Sequence, residues 1–87
     1  MRFEVVGHRL CVVKIDEHWY VIGDRCSHGA YSLSEGEVYG DDREIECPAH
    51  GSIFSLETGE PKSLPATKPV PAYVVTIDGD DVIVTLP

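Results

Sequence analysis

Hydrophobic and polar residues alternate in short runs over the first 24 positions: FEVV, RLCVVKI and WYVIGD, separated by GH and DEH. Alternation of period two, rich in β-branched side chains, suits a half-buried strand, so the pattern predicts a meander of three strands. Nowhere is an apolar repeat of three to four residues sustained, and Gly and Pro recur too often for a helix of about three turns. Further along, EVYG, the DD turn, REIE and SIFSLETGEP read as shorter strands, the last running into a turn where Gly59 supplies a positive φ. AYVVTI, DGDD and VIVTL read as a hairpin that closes the sheet. The expected fold class is all-β and antiparallel.

Two segments escape this pattern. Residues 25 to 36, RCSHGAYSLSEG, form a loop between strands. Residues 61 to 71, PKSLPATKPVP, carry four of the six prolines. Proline withholds a backbone donor and fixes φ, so the second segment is a stiff extended cover rather than a flexible linker.

Length and charge narrow the possibilities. At 87 residues the chain is one domain, 1–87, with a single small core. Domains of this size often need a staple such as a bound metal. A net charge of -8 repels phosphate backbones and anionic lipid, which argues against nucleic acid and membrane partners and favours docking on a basic patch of another protein. No leader pattern and no apolar run approaching about 18 residues is read, so the expected location is cytoplasmic. Three cysteines in a reducing compartment point to metal ligands or core thiols rather than disulfides.

The chemistry concentrates in two short motifs, Cys26-Ser-His28 and Cys47-Pro-Ala-His50, with eighteen residues between His28 and Cys47. Each offers one thiolate and one imidazole from a turn. A structural zinc site accepts such a ligand set, but zinc fingers take a cysteine pair from one turn and a histidine pair from a helix. A cysteine nucleophile beside a histidine base would leave the duplicate pair without a role. One Cys and one His per loop suits a binuclear centre in which one iron takes both thiolates and the other both imidazoles.

These motifs, with GDRCSHG, SLSEGEV, ECPAHGS, TGEP and LPATKPVPAY around them, resemble the Rieske [2Fe-2S] family, and the chain is similar to a Rieske-type ferredoxin over nearly its whole length. The resemblance implies an antiparallel β sandwich or incomplete barrel with a small cluster-binding subdomain at residues 25–62. It implies one [2Fe-2S] cluster, with Cys26 and Cys47 on one iron and His28 and His50 on the other through Nδ1. Gly29 and Gly51 are expected to take positive φ and let backbone amides approach the cluster sulfides. Pro65 resembles the family's proline-rich third loop, which shields the cluster.

Departures place the chain within the family. High-potential members carry an extra cysteine in each loop, joined as a disulfide. Ala49 and either Tyr31 or Ser32 stand at those positions here, so no such bridge forms. Ser52 stands where those members have a hydroxyl bonded to a bridging sulfide, and Phe54 where they have a tyrosine. The expected midpoint is near the low end of the Rieske range, roughly -150 mV, raised modestly by Ser52.

The resemblance implies a one-electron carrier, itself no enzyme, that takes electrons from a flavin-dependent ferredoxin reductase and passes them to a terminal non-heme iron, ring-hydroxylating oxygenase. A role in iron-sulfur cluster biogenesis or redox sensing is the alternative, followed by a structural zinc domain. Family members usually begin with a further strand, whose absence would expose a sheet edge, so the expected state is a monomer or weak dimer. Cys11 is expected to be a buried apolar thiol, His8 and His18 to be solvated turn residues, and Trp19 and Tyr20 to belong to the core.

Overall fold

The computed structural model describes residues 2–5, 8–27, 29–49 and 51–85. Among these residues there are eight strands: β1 (Arg2–Val5), β2 (His8–Ile15), β3 (His18–Gly23), β4 (Glu37–Tyr39), β5 (Glu44–Glu46), β6 (Ile53–Ser55), β7 (Ala72–Asp78) and β8 (Asp81–Thr85). The only helical element among the described residues is a single 3-10 turn at Leu33–Glu35, inside the segment expected to be loop.

The strands form two antiparallel sheets. The larger has the order β1-β2-β3-β7-β8, so the closing hairpin joins the meander along β3, and the smaller has the order β4-β5-β6. Both agree with the all-β expectation. The register pairs Cys11 with Ile22 and Val13 with Tyr20 across β2 and β3, and Ile45 with Phe54 across β5 and β6. Side chains alternate faces along a strand, so each sheet turns one row inward.

That inner row builds one core: Cys11, Val13, Ile22, Cys26, Leu33, Ile45, Cys47, Phe54, Leu56, Ala66 and Val70, with Ile15, Tyr20 and Ala49 packed against it. Tyr20 thus meets its expectation. Trp19 does not, because on β3 it points to the opposite face, where it lies half-buried with the Lys14 ammonium 5.4 Å above its ring. His8 opens β2 and His18 opens β3, beside their turns. His8 is partly buried and meets Tyr73 edge-on, with ring centroids 6.3 Å apart, so it is more than a solvated turn residue.

Cys11 is fully buried, and its burial pushes the thiol pKa up to about 11. No residue of β7 or β8 belongs to the core. Val74, Ile77 and Ile83 on that hairpin are exposed. Its two-residue turn is permitted by Gly79 at φ +62, and the β2-β3 turn by Asp16 at φ +55.

Candidate metal centre

Each cysteine motif sits on the last rung of a hairpin. In the first loop, Arg25 bridges Ser32 and the Cys26 N–H donates to the Tyr31 carbonyl at 2.8 Å. In the second, Glu46 pairs with Ile53 and the Cys47 N–H donates to the Ser52 carbonyl at 2.7 Å. The tips are therefore equal in length, residues 27–30 and 48–51. Inside each, a glycine N–H returns to the cysteine carbonyl, Gly29 to Cys26 and Gly51 to Cys47, both at 3.2 Å. The return spans three residues in one tip and four in the other, matching the shift from C-x-H-G to C-x-x-H-G.

Both thiols are buried, each 2% exposed, and belong to the same core as Phe54. None of the three cysteines is in a disulfide, in keeping with Ala49, Tyr31 and Ser32 at the positions where a bridge would start. His28 and His50 lie outside the described residues. Among the described residues no cluster of three metal-ligating side chains forms.

The glycines act by different means. Gly51 takes φ +74, as expected. Gly29 is not among the positive-φ residues, which corrects its expectation. A Cβ there would lie 3.3 Å from the Tyr31 ring, so its lack of a side chain makes room for that ring.

The proline-rich segment is fastened to the first tip and to the base of the second. The Ala66 N–H donates to Ser52 Oγ at 3.1 Å, and the Ser27 hydroxyl donates to the Lys68 carbonyl at 2.5 Å. The Ile53 N–H donates to Ser63 Oγ at 3.0 Å. Pro65 itself is exposed, and the contact with the second loop runs through its buried neighbour Ala66. Ser52 is fully buried, and among the described residues its hydroxyl makes one bond, accepted from the Ala66 N–H. Its proton therefore remains available to an acceptor.

Beside the second loop, Glu37 and Glu46 stand opposite each other across β4 and β5. The Tyr39 hydroxyl donates to Glu46 Oε1 at 2.7 Å and lies 3.3 Å from Glu37 Oε2. Hydrogen bonding to Glu46, aided by burial and the two carboxylate charges, pushes the Tyr39 phenol pKa up to about 12. Sequence reasoning missed this group, because only the register shows that the two glutamates face each other. It also missed the ties from Ser27 and Ser63, whose hydroxyls carry no pattern of their own.

Donor chemistry tests what this arrangement can hold. Two buried thiols on matched hairpins, a glycine at φ +74 and a buried hydroxyl with a proton to donate fit an inorganic group that needs thiolates and accepts hydrogen bonds. An iron-sulfur cluster is such a group.

Comparison with known proteins agrees. Residues 1–74 match the family model of the Rieske [2Fe-2S] domain. The chain is 42% identical over 78 residues to the 3-phenylpropionate/cinnamic acid dioxygenase ferredoxin subunit of Shigella boydii serotype 4 (strain Sb227), covering 90% of this chain and 73% of that one. The subunit of the same name from Escherichia coli (strain K12) gives the same identity, 42%, and the same coverage. Among solved structures, the ferredoxin of carbazole 1,9a-dioxygenase from Nocardioides aromaticivorans IC177 superposes with a TM-score of 0.94 at 38% identity, covering 97% of this chain and 81% of that one. A complex of reduced oxygenase and oxidized ferredoxin in carbazole 1,9a-dioxygenase matches with a TM-score of 0.90 at 38% identity, over 98% of this chain and 86% of that one. The zinc alternative is thereby set aside, and the two matched hairpins and their cover find their place: the chain belongs to the Rieske [2Fe-2S] family, as a Rieske-type ferredoxin.

Proposed function

We propose that the chain is a one-electron carrier that accepts electrons from a flavin-dependent reductase and delivers them to a terminal non-heme iron, ring-hydroxylating oxygenase. The observation that carries this reading is the likeness, at 38% identity, to a ferredoxin solved together with its oxygenase. The related chains are ferredoxin subunits of dioxygenases, which supports a carrier that transforms no substrate of its own.

In this reading Cys26 and Cys47 hold one iron and His28 and His50 the other. The bound cluster supplies a reversible one-electron couple. The chain's own residues then have separate tasks. The buried cysteines anchor the cluster against the core, Gly29 and Gly51 shape the tips, and Ser52 turns its hydroxyl proton toward sulfide. Pro65 and its neighbours cover one side, with Ala66 and Lys68 as points of attachment. Residues 25–62 act as the cluster-binding subdomain of the single domain 1–87. The sequences of both tips and of Ser63–Thr67 contain no charged residue in a chain of net charge -8, while Glu37 and Glu46 flank the second loop and Lys68 flanks the first.

No helix among the described residues is long and apolar enough to cross a membrane. A carrier of this kind works in the cytoplasm as a monomer or weak dimer. The test is anaerobic stopped flow. The chain, reduced with dithionite and freed of excess reductant, is mixed with the oxidised oxygenase component of 3-phenylpropionate dioxygenase. Reoxidation of its cluster with matching reduction of the oxygenase supports the reading; a cluster that stays reduced while the cognate ferredoxin is reoxidised refutes it for this class of oxygenase.

A further inference from the structure

The two cysteine loops are closed at their bases in different ways. The second lies between β5 and β6, which pair over three rungs, Glu44 with Ser55, Ile45 with Phe54 and Glu46 with Ile53. Among the described residues the first is closed by one bridge, Arg25 with Ser32, made by the Cys26 N–H to the Tyr31 carbonyl at 2.8 Å and the Leu33 N–H to the Asp24 carbonyl at 2.6 Å. A single bridge is a weak hold for a loop whose cysteine must keep its distance from a partner on another hairpin.

Charge makes up the difference. Asp24, two residues before Cys26, is fully buried, and burying a carboxylate without partners is costly. Its Oδ1 accepts the Ser34 N–H at 2.8 Å, and its Oδ2 lies 3.4 Å from Arg9 Nη2. The same Arg9 nitrogen donates to Ser32 Oγ at 2.7 Å, and Arg2 Nη1 approaches that hydroxyl at 3.4 Å. Backbone bonds run alongside: the Asp24 N–H donates to the Arg9 carbonyl at 3.0 Å, and the Leu33 N–H to the Asp24 carbonyl at 2.6 Å. Arg9 belongs to β2, outside the loop, yet it touches Ser32 of the bridge and Asp24, the residue next to Arg25 on the other side of it.

We propose that Arg9 is a positioning residue for the cluster: its guanidinium clasps Asp24 and Ser32 and thereby holds shut the base of the loop that carries Cys26 and His28. A planar guanidinium can serve two acceptors at once, which a lysine ammonium on a longer stem does less well. Loss of the guanidinium leaves the Asp24 charge buried with one backbone donor, and the loop relieves that by opening toward water. Opening draws Cys26 away from Cys47 and releases the cluster.

The proposal rests on the carrier reading only through the cluster itself, and its test involves no partner protein, so the two fail separately. The reconstituted protein is compared with Arg9→Met, Arg9→Lys and the double variant Arg9→Met/Asp24→Asn. Three quantities are read: the rate of loss of visible absorption in air with an iron chelator, amide exchange residue by residue, and the thermal midpoint. Arg9→Met is expected to lose its cluster at least ten times faster. Exchange at Leu33 and Ser34 should rise by a similar factor, while Ile45 and Phe54 on the ladder-held side keep their protection. Adding Asp24→Asn should recover at least half of the loss on a logarithmic scale, because the charge that needed the guanidinium is gone while an amide oxygen still accepts from Ser34. Arg9→Lys should fall between. Should Arg9→Met fail to fold, a folded, cluster-bearing double variant supports the clasp, and failure of both overturns it. Cluster loss at the wild-type rate, exchange rising equally along β5 and β6, or no recovery from Asp24→Asn would each overturn it as well.

Discussion

Replacing Ser52 by alanine separates two roles that one hydroxyl plays. As acceptor, it takes the Ala66 N–H at 3.1 Å and is fully buried. Removing it strands that donor, at a cost of about 1–3 kcal/mol, which corresponds to roughly 5- to 150-fold faster exchange at Ala66 if the cover opens locally. As donor, the hydroxyl would bond to a sulfide whose negative charge grows on reduction. A bond to a charged acceptor is worth about 1.5–3 kcal/mol, so its loss would lower a one-electron midpoint by about 65–130 mV if the bond forms only in the reduced state. The actual shift is smaller to the extent that the oxidised cluster also accepts it. Ser63→Ala is the control: it removes the hydroxyl that accepts the Ile53 N–H at 3.0 Å, loosening the same cover without removing a donor assigned to the cluster. Potentiometric titration followed by circular dichroism gives the midpoint, and amide exchange gives the cover. The expected result is a lowered midpoint in Ser52→Ala alone, with a loosened cover in both variants. An unchanged midpoint in Ser52→Ala, or an equal drop in Ser63→Ala, would refute the assignment of Ser52 as a sulfide donor.

Three further outcomes follow from the same structure. A Cβ at Gly36 would overlap the Glu46 carbonyl oxygen, one residue before Cys47; Gly36→Ala should cost about 3 kcal/mol and lower both cluster content and the thermal midpoint, and normal values of both would show that the backbone there yields cheaply. Cys11 has a folded pKa of about 11, above its ordinary 9.0, so its contribution is intact below pH 9 and drains away as pH rises towards 11. Anaerobic denaturant titrations should show wild type losing at most about 2–3 kcal/mol more than Cys11→Val across that window, and parallel pH profiles would contradict it. If the weak dimer proposed above forms along the exposed edge strand β8, Ile83→Lys should sediment as a monomer at concentrations where wild type shows a dimer. Equal sedimentation of the two proteins counts against the edge as the contact.

The strands were legible because their signal is local. Alternation in RLCVVKI and WYVIGD is a direct imprint of one buried face, and Gly59 in ETGEP reports its own turn, with φ +79. The paired motifs were legible because residue type and spacing carry coordination chemistry on their own. What escaped depends on residues far apart in sequence. Asp24 reads as the polar end of an apolar run until Arg9, fifteen positions earlier, is found beside it. Gly29 and Gly51 look equivalent in sequence, yet only Gly51 has a positive φ, since the tips differ by one residue in where the turn closes. Trp19 reads as core from its place within a strand, and only the register shows that it faces Lys14 on the neighbouring strand.

The β7-β8 hairpin makes this carrier easy to handle. β7 begins at Ala72, paired with Ile22 near the first cluster loop, and its seven residues run away from it over about 20 Å to the Gly79-Asp80 turn. Since the hairpin supplies nothing to the core, that turn can carry cargo without disturbing the metal end. With Asp80 replaced by cysteine, a thiol-reactive anchor would fix the protein to an electrode by a point remote from its cluster loops, and a fluorophore there would sit about 20 Å from them.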